Sequence, residues 1–178
     1  MSTLTTEIKT IDQKLNETIT NVINSVKENP STKDVTFSVD SKLEKGFRSE
    51  INVRGFQFIV DEPESLGGEN EAPNPVEYVL GALASCQEIV IKAYAGQLGI
   101  ELKSVKVEAS GDLDLEGFFN LSNERPGFNN VRYKTVISTD ETDPTKLQLL
   151  KNFSIDRCPV LDIISNPVPV NGEVVYVN

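Results

Sequence analysis

Residues 74–99 read NPVEYVLGALASCQEIVIKAYAGQLG, and this stretch decides the fold. Asn74 is a residue type that caps helix N-termini, and Pro75 suits the first helical position, where its missing N–H leaves nothing unpaired. Gly99 is a fitting C-terminal stop. Pro75–Leu98 is therefore predicted as one helix, about 36 Å long at the usual rise per residue. Its middle, Val79 to Cys86, is apolar nearly all round, and a helix without a polar face is buried inside a fold or between subunits. Gly81, Ala82, Ala84 and Ser85 are small enough to let another backbone come close.

Upstream, residues 35–61 alternate. Val35, Phe37 and Val39 share a side; Ile51 and Val53 follow, then Phe56, Phe58 and Val60, with Gly46 and Gly55 between runs. That pattern predicts three antiparallel strands joined by tight turns. Further upstream, Leu4, Ile8, Ile11, Leu15, Ile19, Val22, Ile23 and Val26 recur at steps of three and four, which predicts an amphipathic helix ended by Asn29-Pro30. Its polar face is mixed and acidic, so it suits docking on its own domain or a sister subunit better than a membrane surface. Downstream, residues 103–115 and 129–139 alternate as two strands. Asp143-Pro144 starts a helix, Cys158-Pro159 starts a short second one, and Glu173 to Val177 reads as a closing strand. Strands in runs, segregated from helices, indicate an α+β fold with antiparallel sheet on the buried helix. The chain divides into an N-terminal helical extension, 1–30, and a domain over 35–178.

Composition narrows the chemistry. The 178 residues carry 17 basic and 27 acidic side chains, a net charge of −10, which argues against nucleic-acid binding. No run approaches the length of a membrane span, and the start of the chain lacks the pattern of a signal peptide, so the expected compartment is the cytoplasm. There is no histidine, which removes His-based triads, His general bases and His metal ligands. No cofactor or metal is expected. What remains distinctive is a pair of cysteines, Cys86 and Cys158.

Cys86 sits mid-helix, where a free cysteine is commonly a small hydrophobe. Cys158 precedes Pro159 and would stand at a helix N-cap, where backbone N–H groups favour a thiolate; Arg157 adds positive charge. Two such thiols allow a cycle without histidine or metal. A thiolate attacks the O–O bond of a peroxide and becomes a sulfenic acid, and a second thiol condenses with it to a disulfide. A cation near the first thiolate must lower its pKa; Arg48 and Arg54 lie on strands or turns that could reach the helix. Asp112, Asp114 and Glu116 alternate on a strand and read as a solvated edge rather than a calcium site.

The run Val60-Asp61-Glu62-Pro63 to Leu66-Gly67-Gly68, then Ala72-Pro73-Asn74-Pro75 through the helix to Cys86, resembles the OsmC/Ohr family of osmotically inducible and organic hydroperoxide resistance proteins, in its Asp-Glu-Pro/Leu-Gly-Gly branch. Arg125-Pro126-Gly127-Phe128 and Cys158-Pro159-Val160 fall in the same order. The resemblance covers about residues 40–178 and omits the N-terminal helix. It implies an intertwined α+β homodimer with active sites at the subunit interface. It also implies a thiol peroxidase that takes organic hydroperoxides and is recycled by dithiols such as lipoyl groups. Cys86 matches the peroxidatic position and Cys158 the resolving one; Arg48 fits the arginine that supports the thiolate, with Arg54 as runner-up. Peroxidase members place a glutamate ten residues before the first cysteine to hold that arginine. Here Val76 stands there, and Glu77, nine before, is the candidate. Nine steps of a straight helix turn Glu77 to the side opposite Cys86. The alternatives are a small-ligand-binding or stress-related protein on the same fold without peroxidase activity, and an interaction protein whose N-terminal helix recruits a partner.

Overall fold

The computed structural model describes residues 10–177. Helix α1 (Ile11–Glu28) opens with a capping box: Gln13 N–H donates to Thr10 Oγ1 at 3.2 Å, and Thr10 N–H donates to Gln13 Oε1 at 2.8 Å. Asn29-Pro30 ends it, as expected. Leu4 and Ile8 of the expected apolar stripe lie outside the described residues. Three antiparallel strands follow in meander order, β1 (Asp40–Lys45), β2 (Arg48–Val53) and β3 (Phe56–Val60). The β2–β3 turn has positive φ at both Arg54 and Gly55, the combination that matches the natural twist of a two-residue hairpin.

Helix α2 (Pro75–Leu98) has the bounds that its cap residues dictate, with Asn74 at the N-cap and Gly99 left-handed at the C-cap. Next come β4 (Leu102–Leu113), a single helical turn α3 (Leu115–Phe118), β5 (Phe128–Thr139), α4 (Pro144–Asp156) and α5 (Pro159–Ser165). Strands β4 and β5 form a separate two-stranded antiparallel sheet. The core lies between that sheet, α2 and α4. One cluster gathers Ile91, Ala95, Ile100 and Leu150; the other gathers Leu83, Val90 and Cys158, with Cys86 against it. Helix α1 rests on the far end of α2, where Asp12 pairs with Lys92 at 2.8 Å and Asn16 occupies the space a side chain at Gly96 would need. No helix among the described residues is long and apolar enough to cross a membrane.

Two expectations are corrected and a third is met in part. Residues 35–39 form no strand; β1 begins at Asp40, and Phe37 is 83% exposed. The closing strand over 173–177 is likewise not formed, and Tyr176 is 92% exposed. Alternation marks a segment that can pair, but a strand exists only where a neighbour supplies the ladder, and neither segment has one in this chain. Helix α2, expected to be buried inside the fold or between subunits, is buried on one face within this chain. Val79, Ala82, Ser85 and Ile89 are exposed, because the three-stranded sheet meets α2 only near its start, where Tyr78 O–H donates to Ile59 O at 2.7 Å.

Candidate active site

Helix α4 ends at Asp156, and after two intervening residues the chain restarts as α5. Cys158 is the N-cap of the new helix: its sulfur accepts the Leu161 N–H at 3.4 Å. Pro159 has no N–H to leave unpaired, so the sequence Cys-Pro closes the cap. The Cys158 side chain is buried against Leu83 and Val90 of α2.

Cys86, one helical turn beyond Leu83, packs against this same cluster. The fold thus brings together two free thiols separated by 72 positions in the chain. Burial pushes the Cys86 thiol up; the Val160 N–H acts against that, and the neighbouring Cys158 side chain adds to it. The first turn of α5 therefore offers one N–H to each sulfur, Val160 to Cys86 and Leu161 to Cys158. Two adjacent free thiols can lose two electrons and two protons and join as a disulfide.

Two residues around the pair escaped the sequence reading. Gln87 is fully buried, and its Nε2 donates to the Ser154 carbonyl at 2.9 Å, tying α2 to the last turn of α4 just before Cys158; its Oε1 has no partner among the described residues. The signal was a polar residue at helical spacing from Leu83 and Ile91. Tyr133 of β5 packs on the Cys158 cluster. Its phenol is pushed up first by burial and then by Cys158. Its signal was the alternation along β5, which puts Tyr133 on the same side as Val131 and Ile137.

Arg48 and Glu77 are not brought to Cys86 within the chain. Arg48 is paired through Nη1 with Glu44 and through Nε with Glu71 at 2.7 Å, and its side chain is 19% exposed. Arg54 lies over the Phe56 ring at 5.7 Å in the hairpin turn. Glu77 closes the capping box of α2: its N–H donates to Asn74 Oδ1 at 2.9 Å and its Oε2 accepts the Asn74 N–H at 2.8 Å. It lines an open groove with Leu80, Gly81 and Ala84, a different side of α2 from the one Cys86 uses. The resemblance motif at 61–71 is a loop clasp. The buried Asp61 carboxylate accepts N–H bonds from Glu69 and Glu71, both at 3.1 Å, and these hold it below the usual carboxylate range, Glu71 contributing most. Gly68 is required there, since a Cβ would fall 1.8 Å from the Glu62 carbonyl oxygen. Of the alternating acids, Asp112 pairs with Arg132 and Asp114 caps α3. Among the described residues no group of three His, Cys, Asp or Glu side chains is placed to hold a metal ion.

A family described as OsmC-like protein matches residues 68–173. The structure is similar to an OsmC-like protein from Mycoplasma pneumoniae, with a TM-score of 0.63 at 16% identity over 74% of this chain and 89% of that one. It is also similar to an organic hydroperoxide resistance protein OsmC from Legionella pneumophila, with a TM-score of 0.54 at 20% identity over 74% of this chain and 91% of that one. An organic hydroperoxide resistance protein from Elizabethkingia anophelis gives a TM-score of 0.54 at 17% identity over 72% of this chain and 89% of that one. No curated protein sequence matches.

Proposed function

The chain belongs to the OsmC-like protein family, and from that premise we propose that it is a thiol-dependent peroxidase acting on organic hydroperoxides. The observation that carries the reading is the meeting of Cys86 and Cys158 at the start of α5. The Cys86 thiolate attacks the terminal oxygen of ROOH. The O–O bond breaks, the alkoxide takes a proton and leaves as ROH, and Cys86 becomes a sulfenic acid. The Cys158 sulfur then attacks Cys86, the S–O bond breaks, and water leaves as the disulfide forms. An external dithiol of lipoyl type reduces that disulfide by exchange, becoming a disulfide itself.

The working unit is a homodimer, with residues 35–178 as the catalytic domain and the N-terminal helix as an appendage. Three features support it. Residues 35–39 and 173–177 alternate but lack a ladder partner. Val79 and Ile89 expose an apolar face of the central helix, at 41% and 68%. The arginine that the thiolate needs is remote from Cys86 in its own chain, so a second copy must present Arg48. Free thiols at the site suit a compartment that keeps thiols reduced, the cytoplasm.

The test is consumption of cumene hydroperoxide in the presence of dihydrolipoamide. Turnover by the wild type that is absent in Cys86→Ser is the expected result; equal rates in the two refute the reading. One observation favours the rival, a ligand-binding protein without turnover: burial raises rather than lowers the Cys86 thiol. Intact mass after one equivalent of peroxide separates the two, since a peroxidase loses two hydrogens and a binding protein keeps its mass.

A further inference from the structure

We propose that Glu71 is the positioning carboxylate for Arg48, replacing in this chain the glutamate that the family resemblance puts where Val76 stands. This rests on the proposed peroxidase and its shared dimer site for the purpose of Arg48, which lies away from Cys86 in its own chain, but not for the contact, which is present in the fold. Glu71 Oε2 accepts from Arg48 Nε at 2.7 Å, and Glu44 takes Nη1. The two carboxylates fix the plane of the guanidinium and leave Nη2 outside both pairs. A planar fork so held presents its remaining N–H donors in one direction.

Glu71 is itself held. Its backbone N–H is bound by Asp61, a carboxylate only 1% exposed, which also binds the Glu69 N–H. The Asp61 N–H donates to the Pro73 carbonyl at 3.4 Å, so the clasp closes just before the cap of α2. Gly68 lies against the Glu62 backbone too closely for any side chain. The loop is thereby a rigid arm between β3 and α2 whose outer end carries the carboxylate for Arg48. Lys45 competes weakly for the same side chain, at 3.7 Å, and binds Glu69 instead at 2.6 Å. Glu69 is the comparison: it lies on the same loop, is bound by the same Asp61 and reaches the Glu71 side chain and Lys45, but it does not pair with Arg48.

The experiment reads the Cys86 thiolate directly. Full-length wild type, Glu71→Gln, Glu71→Asp and Glu69→Gln are alkylated with iodoacetamide across a pH series, and peptide mass spectrometry reports modification at Cys86. Loss of an oriented cation beside a thiolate raises its pKa by about one unit or more. Glu71→Gln is expected to move the Cys86 midpoint up by about one pH unit, and so to slow alkylation below the midpoint about tenfold. Glu71→Asp restores part of the rate, and Glu69→Gln leaves the midpoint in place. A midpoint that stays or moves down in Glu71→Gln overturns the proposal, as does an equal rise in Glu69→Gln. Peroxide turnover is scored separately. A raised midpoint without turnover in the wild type sinks the peroxidase reading and keeps the positioning role.

Discussion

Replacing Gln87 by glutamate converts the clasp between α2 and α4 into a pH-dependent liability. Gln87 is fully buried and donates to the Ser154 carbonyl at 2.9 Å. A carboxylate there would face a carbonyl oxygen and has no donor to turn to, because the single oxygen of the native amide, Oε1, is already unpartnered among the described residues. The protonated acid, however, can donate O–H to Ser154 and rebuild the bond. The folded state therefore holds the proton while the unfolded chain releases it near pH 4.3, the ordinary glutamate value. Because the folded pKa is raised, the variant is near its full stability below about pH 4.3 and weakens as pH rises, by at most about 1.4 kcal/mol per unit, until the folded pKa is passed. With the acid fully retained, the penalty is about 1.6 kcal/mol at pH 5.5 and about 4.4 kcal/mol at pH 7.5. Urea denaturation of variant and wild type at those two pH values reads the difference between penalties, expected near 2.7 kcal/mol. Gln87→Met loses the bond without gaining a titratable group, so its penalty should not change with pH. A Gln87→Glu penalty that differs by less than about 1 kcal/mol between the two conditions refutes the buried, single-donor account of this site.

The Asp61 clasp has the opposite sign: its pKa is lowered, so the stability it lends is present above the ordinary aspartate value and is lost as pH falls through the folded one. The gap in denaturation midpoint between wild type and Asp61→Asn should shrink on acidification, and a gap that widens contradicts it. Gly96→Ala would place a Cβ 1.8 Å from Asn16 Oδ1, the end of a flexible side chain that can swing aside, so α1 should stay docked and trypsin should cut at Lys27 within about twofold of the wild-type rate. Cleavage several-fold faster in the variant would show that Asn16 itself holds α1 on α2. Phe37→Asp and Ile89→Asp, at two exposed apolar positions, should shift sedimentation from two copies toward one, and a wild type that already sediments as one copy removes the dimer.

What could be read in advance follows the range of the forces involved. Helix α2 was legible to the residue because its limits are set by Asn74, Pro75 and Gly99 within a few bonds of the backbone they control. The Cys158 cap was legible for the same reason. Strands β4 and β5 were legible because alternation found a neighbour one hairpin away. The same alternation misled at 35–39 and 173–177, where no ladder partner lies in the chain. Gln87 and Glu71 were invisible for a different reason. Each acts through one contact with a segment far along the chain, Ser154 and Arg48 respectively, and no periodicity encodes a single distant hydrogen bond.

The decisive conflict in the site is electrostatic. On the proposed reading Cys86 must become a thiolate, yet burial drives its thiol up, and among the described residues the group that acts against this is the neutral Val160 N–H. Among the described residues no arginine acts on that sulfur. Arg132 is held by Asp112 and Arg54 lies over Phe56. Arg48 is oriented by two carboxylates whose charges offset its own, so it is a poor general attractor of anions and a directional one through Nη2. Such a group lowers the pKa of a thiol only at hydrogen-bonding range, since one guanidinium and two carboxylates together carry a net negative charge and offer an anion no attraction beyond it. On the proposed reading, the single chain holds both halves of an activated cysteine without joining them. If Cys86 is reactive at neutral pH, its reactivity must rise with protein concentration across the range in which copies associate. Alkylation rates that stay flat through that range would place the missing cation within the chain and overturn the shared-site account.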